Sequence, residues 1–600
     1  MCCGPGSGSE EYGDAQRIDG PTDANGTWGT LVAGPGGVTG SPDGVHMPDV
    51  ADTERAVARH RPELLGAYRA AVPGARAAVL GRLWGALCRE PIAGVVGRVR
   101  RGDEVVVELA DGRRVTGPAQ AAAPFAVCAP GLAVRVVGCG GDGRCFDDPA
   151  ALVAAILPGA PGVGGSVARF AAEVANSVAN VALARAAQVA AAGRGRVSVD
   201  GDELAGVDLV EWESRVVDGH PLHPACRTRA GMSTSEVLAY APEHRPVVSL
   251  RVVAVPPERW LATGAGLPPL LPVHPWQYDH VLGAFGWLRD TGRRVPCRPL
   301  MSLRTVVPVD QPWRHLKTAV DVQMTSAART VSAAAVRNGP PVTAFLAELV
   351  ARAGLVGRGG LTVLRETAAG AVVVDGEPCR SLAVVVRQAP VVRPGEVLVP
   401  LAALAAGSPD GGVPPVVAAV AAGYGGDAAA FVADLAGLLL RATLGLLRFG
   451  VALEAHGQNT LVALRGGRPV RLLYRDVGGI RVSPRRLRGL GVTPPTLHGD
   501  LAEDDPRLLR DTLFAALGTV LGEQVAVLCR GCGVEAGELW RAVAAAARRV
   551  SAELPPDAAA DVAALWDATW PVKATTAMRL AADPLEVIWA RQPNPLMEQV

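Results

Sequence analysis

The chain has 600 residues, several times a typical single domain, so two or three domains with large buried cores are expected. Hydrophobic residues make up 49% and charged residues 20%, and 59 basic against 58 acidic side chains leave a net charge of +1. That balance argues against nucleic-acid or membrane-surface partners, the composition is ordinary for a folded soluble enzyme, and with neither a signal peptide nor a membrane span expected, a cytoplasmic location follows.

Residues 1–48 are rich in Gly, Pro, Ser and Asp and lack apolar periodicity, which predicts a disordered tail. Its first residues, "MCCGPGSGSEEYGD", have neither a basic stretch nor an apolar one, so no signal peptide is expected. Helical spacing begins at "DTERAVARHRPELLGAYRAAV", and "DEVVVELADGRRVTG" reads as a hairpin around a type I′ turn at Asp111-Gly112. "GCGGDG" (138–143) satisfies GxGxxG, but its upstream elements read as antiparallel and no acidic residue follows at dinucleotide-fingerprint spacing. A Gly-rich turn before a helix capped at Asp147 or Asp148 is the better reading. A long helix, "VARFAAEVANSVANVALARAAQVAAAG", ends near residue 193.

From about 215 to 400, short β-branched runs such as "VVSLRVVAV" and "LAVVVR" predict an antiparallel sheet. Long helices return near 405, interrupted by "NTLVAL" and "PVRLLYRDV", which read as a hairpin turning at "GGR". The most apolar run, 435–453, carries Arg441 and Arg448, so it reads as a buried helix and not a membrane span. Cys529 and Cys532 form a lone CxxC with no second pair to complete a zinc site, and read as structural thiols. The expected fold is α+β in three parts: a helical part at 49–214, an antiparallel-sheet part at 215–404 and a helix-rich part at 405–600.

Polar clusters interrupt the sheet-rich part: His220, His223, Arg227 and Arg229 in "GHPLHPACRTRAG", His274 and Gln277 in "LPVHPWQYD", and Ser302, Arg304 and Thr305 in "MSLRT". "HLKTAVDVQMTSAART" adds Lys317, Thr325, Ser326 and Arg329. Singly, each has a structural explanation in a turn or a solvated charge. Together, Arg304, Lys317 and Arg329 beside hydroxyls at Ser302, Thr325 and Ser326 are what a triphosphate or polycarboxylate needs. No GxxxxGK[ST] loop is present, so a bound nucleotide would depend on side chains to hold its phosphates.

"VALEAHGQNTLV" (451–462) gathers Glu454, His456, Gln458 and Asn459 at the end of an apolar segment. Glu454, Asn459 and Asp476, in "LLYRDVGG", offer the hard oxygen donors a divalent metal prefers, and the predicted hairpin returns Asp476 to 454–459. The logic resembles that of protein kinases, although no HRDxxxxN or DFG is present. His456 reads as a general base, as an orienting donor to a carboxylate, or as the cap of a buried helix end.

These motifs, with "PVKATTAMRL", recur in the same order in the siderophore synthetases that work without a peptide-synthetase assembly line, the aerobactin-synthetase-like (NIS, IucA/IucC type) enzymes, and the chain resembles them from about residue 215 to 580. The resemblance implies a cupped hand with a thumb at 49–214, fingers at 215–404 and a palm at 405–600. It implies ATP and Mg²⁺ as cofactors, adenylation of a polycarboxylic acid such as citrate, and acyl transfer to an amine, hydroxylamine or alcohol. It also allows a homodimer. Carried over by motif, Ser302, Arg304, Lys317, Thr325 and Arg329 hold ATP phosphates, and Glu454, Gln458, Asn459 and Asp476 handle nucleotide and metal. His456, Ser326, Arg329 and Lys573 face the acid, with His220 and His223 lining the same cleft; His456, Arg329 and Lys317 carry the catalysis. Arg579 completes the last motif without an evident role. The family's histidine motif has lysine where this chain has Arg227, which bears on substrate identity. A kinase-like phosphotransferase releasing ADP is the competing reading, and an iron-siderophore binder or reductase a third.

Overall fold

The computed structural model describes residues 45, 47–123, 125, 133–138, 140, 142–158, 167–191, 207–357, 360–408, 412–581, 583 and 586–597. The tail expected at 1–48 lies almost wholly outside them.

The first long helix, Val50–His60, starts with a capping box in which the Asp49 carboxylate accepts from the Asp52 amide at 2.9 Å. Leu65–Arg89 follows and packs against the helix Val167–Ala190. Between them lies more sheet than the helical expectation allowed: an antiparallel meander of β1 (Val95–Arg101), β2 (Glu104–Leu109), β3 (Arg114–Pro118), β4 (Val134–Val137) and β5 (Gly143–Phe146). β2–β3 and the strand-like run at β4 were legible, whereas β1 and β5 carry arginines that blur the apolar alternation.

The β2–β3 turn is not type I′. Gly112 has φ of 84°, Asp111 is not left-handed, and the Gly112 amide donates to the Leu109 carbonyl at 2.9 Å. Asp111 instead accepts from the Arg113 amide at 3.0 Å, which favours a type I turn with a glycine bulge. The Gly-rich 138–143 stretch joins two antiparallel strands, and Asp148 caps the helix Pro149–Ile156 by accepting from Ala150 and Ala151 amides.

The centre of the molecule is an eight-stranded sheet in which every neighbouring pair is antiparallel. After β6 (Arg229–Ala230), its strands are β7 (Val248–Ala254), β8 (Trp260–Gly264), β9 (Leu270–Val273), β10 (Arg289–Pro299), β11 (Thr305–Pro308) and β12 (Arg314–Thr318), with β16 and β17 below. β13 (Val320–Met324) and β14 (Ala327–Arg329) form a small sheet with β6. β15 (Leu361–Val363) leaves for a third sheet, and β16 (Glu366–Val374) and β17 (Glu377–Gln388) complete the large one in the order β8-β16-β17-β12-β11-β10-β7-β9. The helix Ala333–Arg352 packs on β16 and β17.

β18 (Val397–Pro400), β19 (Val451–Ala452), β20 (Thr460–Arg465), β21 (Arg468–Tyr474) and β22 (Arg481–Val482) follow. The β20–β21 hairpin sits between β18 and β15, so this four-stranded sheet crosses the boundary drawn at 404/405. The helix Ala428–Leu447 packs on β21, and the helices Pro506–Cys532 and Ala536–Glu553 pack on that helix in turn. The first two are long and apolar enough to cross a membrane, yet most of their apolar surface is buried against protein. In the first of them, Arg441 pairs with Glu553 at 2.8 Å; just beyond its end, Arg448 pairs with Asp557 at 2.6 Å. A final hairpin, β23 (Thr569–Lys573) with β24 (Trp589–Pro593), flanks the short helix Thr575–Leu580.

Candidate active site

Two turns and a hairpin bring the predicted cations together. Between β10 and β11, the Ser302 hydroxyl accepts from the Thr305 amide at 3.2 Å and Leu303 is left-handed (φ 64°), which turns the chain sharply at Arg304. The β11–β12 register sets Thr305 opposite Lys317. Lys317 Nζ donates to Asp476 Oδ2 at 2.6 Å, and Arg387, which sequence reasoning missed, lies 3.7 Å from the same oxygen while pairing with Glu366 at 2.8 Å. Asp476 is itself left-handed (φ 72°), a conformation short polar side chains tolerate, and its Oδ1 accepts from the Gly478 amide at 3.2 Å.

Arg304 donates to the Thr330 carbonyl and keeps a buried Nε without a partner. Arg329 donates to the Thr325 hydroxyl at 2.6 Å, and Thr325, left-handed at φ 56°, donates in turn to the Met324 carbonyl. Among the described residues neither Arg304 nor Arg329 has a carboxylate within ion-pairing distance, whereas Lys317 and Arg387 do. Burial, reinforced by Arg329, pushes the Arg304 guanidinium down to about 10, so it stays charged at neutral pH. Burial works against the Asp476 carboxylate, but Lys317 and Arg387 outweigh it and hold the group far below the usual carboxylate range. The result is a cluster in which Arg304, Lys317, Arg329 and Arg387 outnumber Asp476 and Glu366.

"VALEAHGQNTLV" folds as a tight turn after the helix Ala428–Leu447. The His456 carbonyl accepts from the Asn459 and Thr460 amides at 3.0 and 3.1 Å, and β20–β21 pairing returns the chain so that Arg475 N donates to the Asn459 carbonyl at 3.0 Å. Gly457 is required here: a Cβ would lie 2.9 Å from the Ala402 amide nitrogen. His456 Nδ1 accepts from the Gln458 amide at 3.3 Å, which places the imidazole proton on Nε2. Burial lowers its pKa against the pull of Glu454, so the ring is neutral near pH 7 and presents a donor. Glu454 pairs with the Lys573 ammonium, and a Cβ on Gly479 would come within 1.9 Å of Glu454 Oε2, which explains the second glycine of "DVGG". Burial raises the Glu454 pKa, yet Lys573 and His456 bring it below its ordinary value.

A buried bridge unites the two turns. Arg475 donates to the Gln458 carbonyl at 3.1 and 2.9 Å and pairs with Glu213 at 2.7 Å, and the second Glu213 oxygen accepts from Met301 N at 2.9 Å. Glu213 and Arg475 had no signal in any motif beyond an arginine beside Asp476.

The histidine motif forms one wall. His220 Nδ1 accepts from the Leu222 and His223 amides at 3.2 Å each, His223 Nδ1 accepts from Ala225 N at 2.9 Å, and His223 Nε2 meets the Ser326 hydroxyl at 2.8 Å. The His223 ring is kept neutral chiefly by burial, while His220 sits at the exposed edge of this wall.

Arg227 does not contact this cleft as expected. It is buried, donates to the Val217 carbonyl at 3.0 Å and lies 3.5 Å from Glu243, which also holds Arg229 at 2.7 Å. The arginine braces the turn that carries the histidines. Arg227→Lys therefore should cost about 1–2 kcal/mol of stability in a denaturation experiment while leaving turnover nearly unchanged.

His274 and Gln277 are also structural: His274 caps the helix Pro275–His280, and Gln277 bridges Ser381 O at 3.0 Å and Asp321 N at 2.8 Å.

Arg579 gains a role too. Its guanidinium forms a buried ion pair with Glu173, which also accepts from Gln323 Nε2 at 3.0 Å, four residues before Ala327 and β14. Arg579→Ala leaves Glu173 with Arg169, 3.3 Å away, as its cationic partner, and a loss of about 1.5–3 kcal/mol is expected in chemical denaturation.

Among the described residues, no group of three or more His, Cys, Asp or Glu side chains is placed to hold a metal. Glu454, Asp476 and Asn459 nevertheless supply two carboxylates and an amide on one hairpin, the sparse oxygen set that Mg²⁺ takes when substrate phosphates complete its shell. Cys529 and Cys532 sit half-buried at the end of one helix, and burial raises both thiols, which disfavours the thiolate a cluster needs.

Known proteins resemble this chain in sequence and in fold. The IucA / IucC family model matches residues 208–266 and 269–406, and a second model, "Ferric iron reductase FhuF-like transporter", matches 429–584. Staphyloferrin A synthase of Staphylococcus aureus is 27% identical over 49% of this chain and 57% of its own length. Rhizobactin siderophore biosynthesis protein RhbF of Rhizobium meliloti is 29% identical over 55% of this chain and 62% of its own. The chain thus spans less than two thirds of these two relatives. Among solved structures, the petrobactin biosynthesis protein AsbB of Bacillus anthracis shares the fold at a TM-score of 0.74 and 18% identity, covering 92% of this chain and 99% of AsbB. ATP-bound aerobactin synthetase IucA of Klebsiella pneumoniae does so at 0.68 and 21%, covering 87% and 99%.

Proposed function

We propose that the chain is a member of the IucA / IucC family and an ATP-dependent synthetase that adenylates a carboxyl group of a polycarboxylic acid and condenses it with an amine, hydroxylamine or alcohol in siderophore-type biosynthesis. The observation that carries this reading is the pair of half-buried guanidiniums, Arg304 and Arg329, that lack a carboxylate partner beside Lys317. Half-buried guanidiniums with no carboxylate in ion-pairing distance are costly to hold close together, and a polyphosphate is the ligand whose charge and reach offset them.

In this reading Ser302, Arg304, Lys317, Thr325 and Arg329 hold the triphosphate, and Gln458 and Asn459 adjoin the nucleotide. Glu454, Asp476 and Asn459 hold Mg²⁺, which supplies charge neutralisation at the phosphates when bound. The acid lies against Lys573, Ser326, Arg329, His220 and His223. His456 donates from Nε2 to the carboxylate, since its Nδ1 is already an acceptor. A carboxylate oxygen forms a bond to the α-phosphorus as the bond to pyrophosphate breaks, and the cations stabilise the charge that builds on the phosphoryl oxygens. The amine, unprotonated, then attacks the acyl carbon and AMP leaves; its rate rests mainly on positioning. The proposed enzyme has a thumb at 49–214, fingers at 215–404 and a palm at 405–600, the last two joined by the sheet that crosses their boundary, and is cytoplasmic.

A panel of acids incubated with ATP, Mg²⁺ and hydroxylamine tests the proposal. Hydroxamate is expected from citrate or a citryl derivative and not from monocarboxylates; hydroxamate from no polycarboxylic acid contradicts it.

A further inference from the structure

Lys573 lies at the end of β23, and the helix Thr575–Leu580 begins two residues later. That helix has no cap of its own: Ala574 stands at its N-cap position and offers no side-chain acceptor to the first amides. The acceptor arrives from the other end of the chain. Glu90, at the C-terminus of the helix Leu65–Arg89, is 5% exposed, and its Oε2 accepts from the Thr576 amide at 2.7 Å and the Ala577 amide at 2.9 Å. On its other side Lys573 is paired with Trp589 across β23–β24, and the Ala574 amide donates to the Ile588 carbonyl at 2.9 Å. Lys573 is thereby fixed from two directions, one of them Glu90.

We infer that Glu90 is a positioning residue for acid binding: by holding the backbone after Lys573, it sets the ammonium against Glu454 and the acid. This rests on the assignment of Lys573 to the acid made above. A buried carboxylate at a helix start also complements the helix dipole. Burial raises the Glu90 carboxyl to about 7 against the pull of the two amides, so a neutral acceptor of the same shape is a fair substitute.

The experiment compares Glu90→Ala, Glu90→Gln and Lys573→Ala for acid KM, ATP KM and hydrogen exchange at the Thr576 and Ala577 amides. Glu90→Ala is expected to raise acid KM about tenfold with ATP KM little changed, and to speed exchange at both amides. Glu90→Gln keeps the acceptor and is expected to restore acid KM to within about threefold. If Glu90→Ala does not fold, Glu90→Asp, whose carboxylate is one methylene short, serves in its place. Unchanged exchange and unchanged acid KM overturn the inference, as does a parallel rise in both KM values without rescue by glutamine. Faster exchange with an acid KM insensitive to Lys573→Ala overturns the positioning role through failure of the Lys573 assignment, while the backbone anchor stands.

Discussion

Arg304→Ala is expected to lower adenylation by about two to three orders of magnitude while the protein stays folded. The side chain makes one hydrogen bond to the protein, to the Thr330 carbonyl, and its Nε makes none. Removing it relieves repulsion with Arg329, so no large loss of stability follows. Pyrophosphate exchange on the folded variant measures the effect. Near-normal exchange would remove Arg304 from the phosphate site and undercut the interpretation of the unpaired guanidiniums.

Lys573→Ala comes next in size. A single carboxylate–cation contact contributes about 1.5–3 kcal/mol, so acid KM should rise roughly tenfold to a hundredfold, with ATP KM affected far less. The ion pair to Glu454 complicates this usefully. Glu454 loses its cationic partner in the variant, so a metal role for that carboxylate predicts a modest fall in Mg²⁺ requirement as well. The reverse pattern, with ATP KM moving and acid KM still, would place Lys573 on the nucleotide side.

Much of the site was legible because its residues cluster locally. "SLRT", "HLKTAVDVQMTSAART" and "EAHGQNTL" each form one turn or hairpin, and the predicted β20–β21 hairpin does return Arg475 to Asn459. The antiparallel character of the middle of the chain was likewise written in its β-branched runs. What escaped were partners joined only by the fold: Glu213 with Arg475, Glu173 with Arg579, and Glu90 with Thr576, separated by 262, 406 and 486 positions. A buried glutamate on an alanine-rich helix has no local pattern to distinguish it from a solvated one. Arg227 misled for the opposite reason: it sits inside a polar motif, yet its side chain turns back to Val217 and Glu243. In the N-terminal meander β1 and β5 were missed because they carry arginines that blur strand alternation, whereas β2–β3 and the run at β4 were legible.

The residues of the cleft suit attack at either the α- or the γ-phosphorus, so the nucleotide product separates the synthetase from a kinase-like phosphotransferase most directly. With ATP, Mg²⁺ and a reactive polycarboxylic acid, the account predicts AMP and pyrophosphate in equal amounts, formed only when the acid is present. Release of ADP and phosphorylated acid by an active preparation would contradict it.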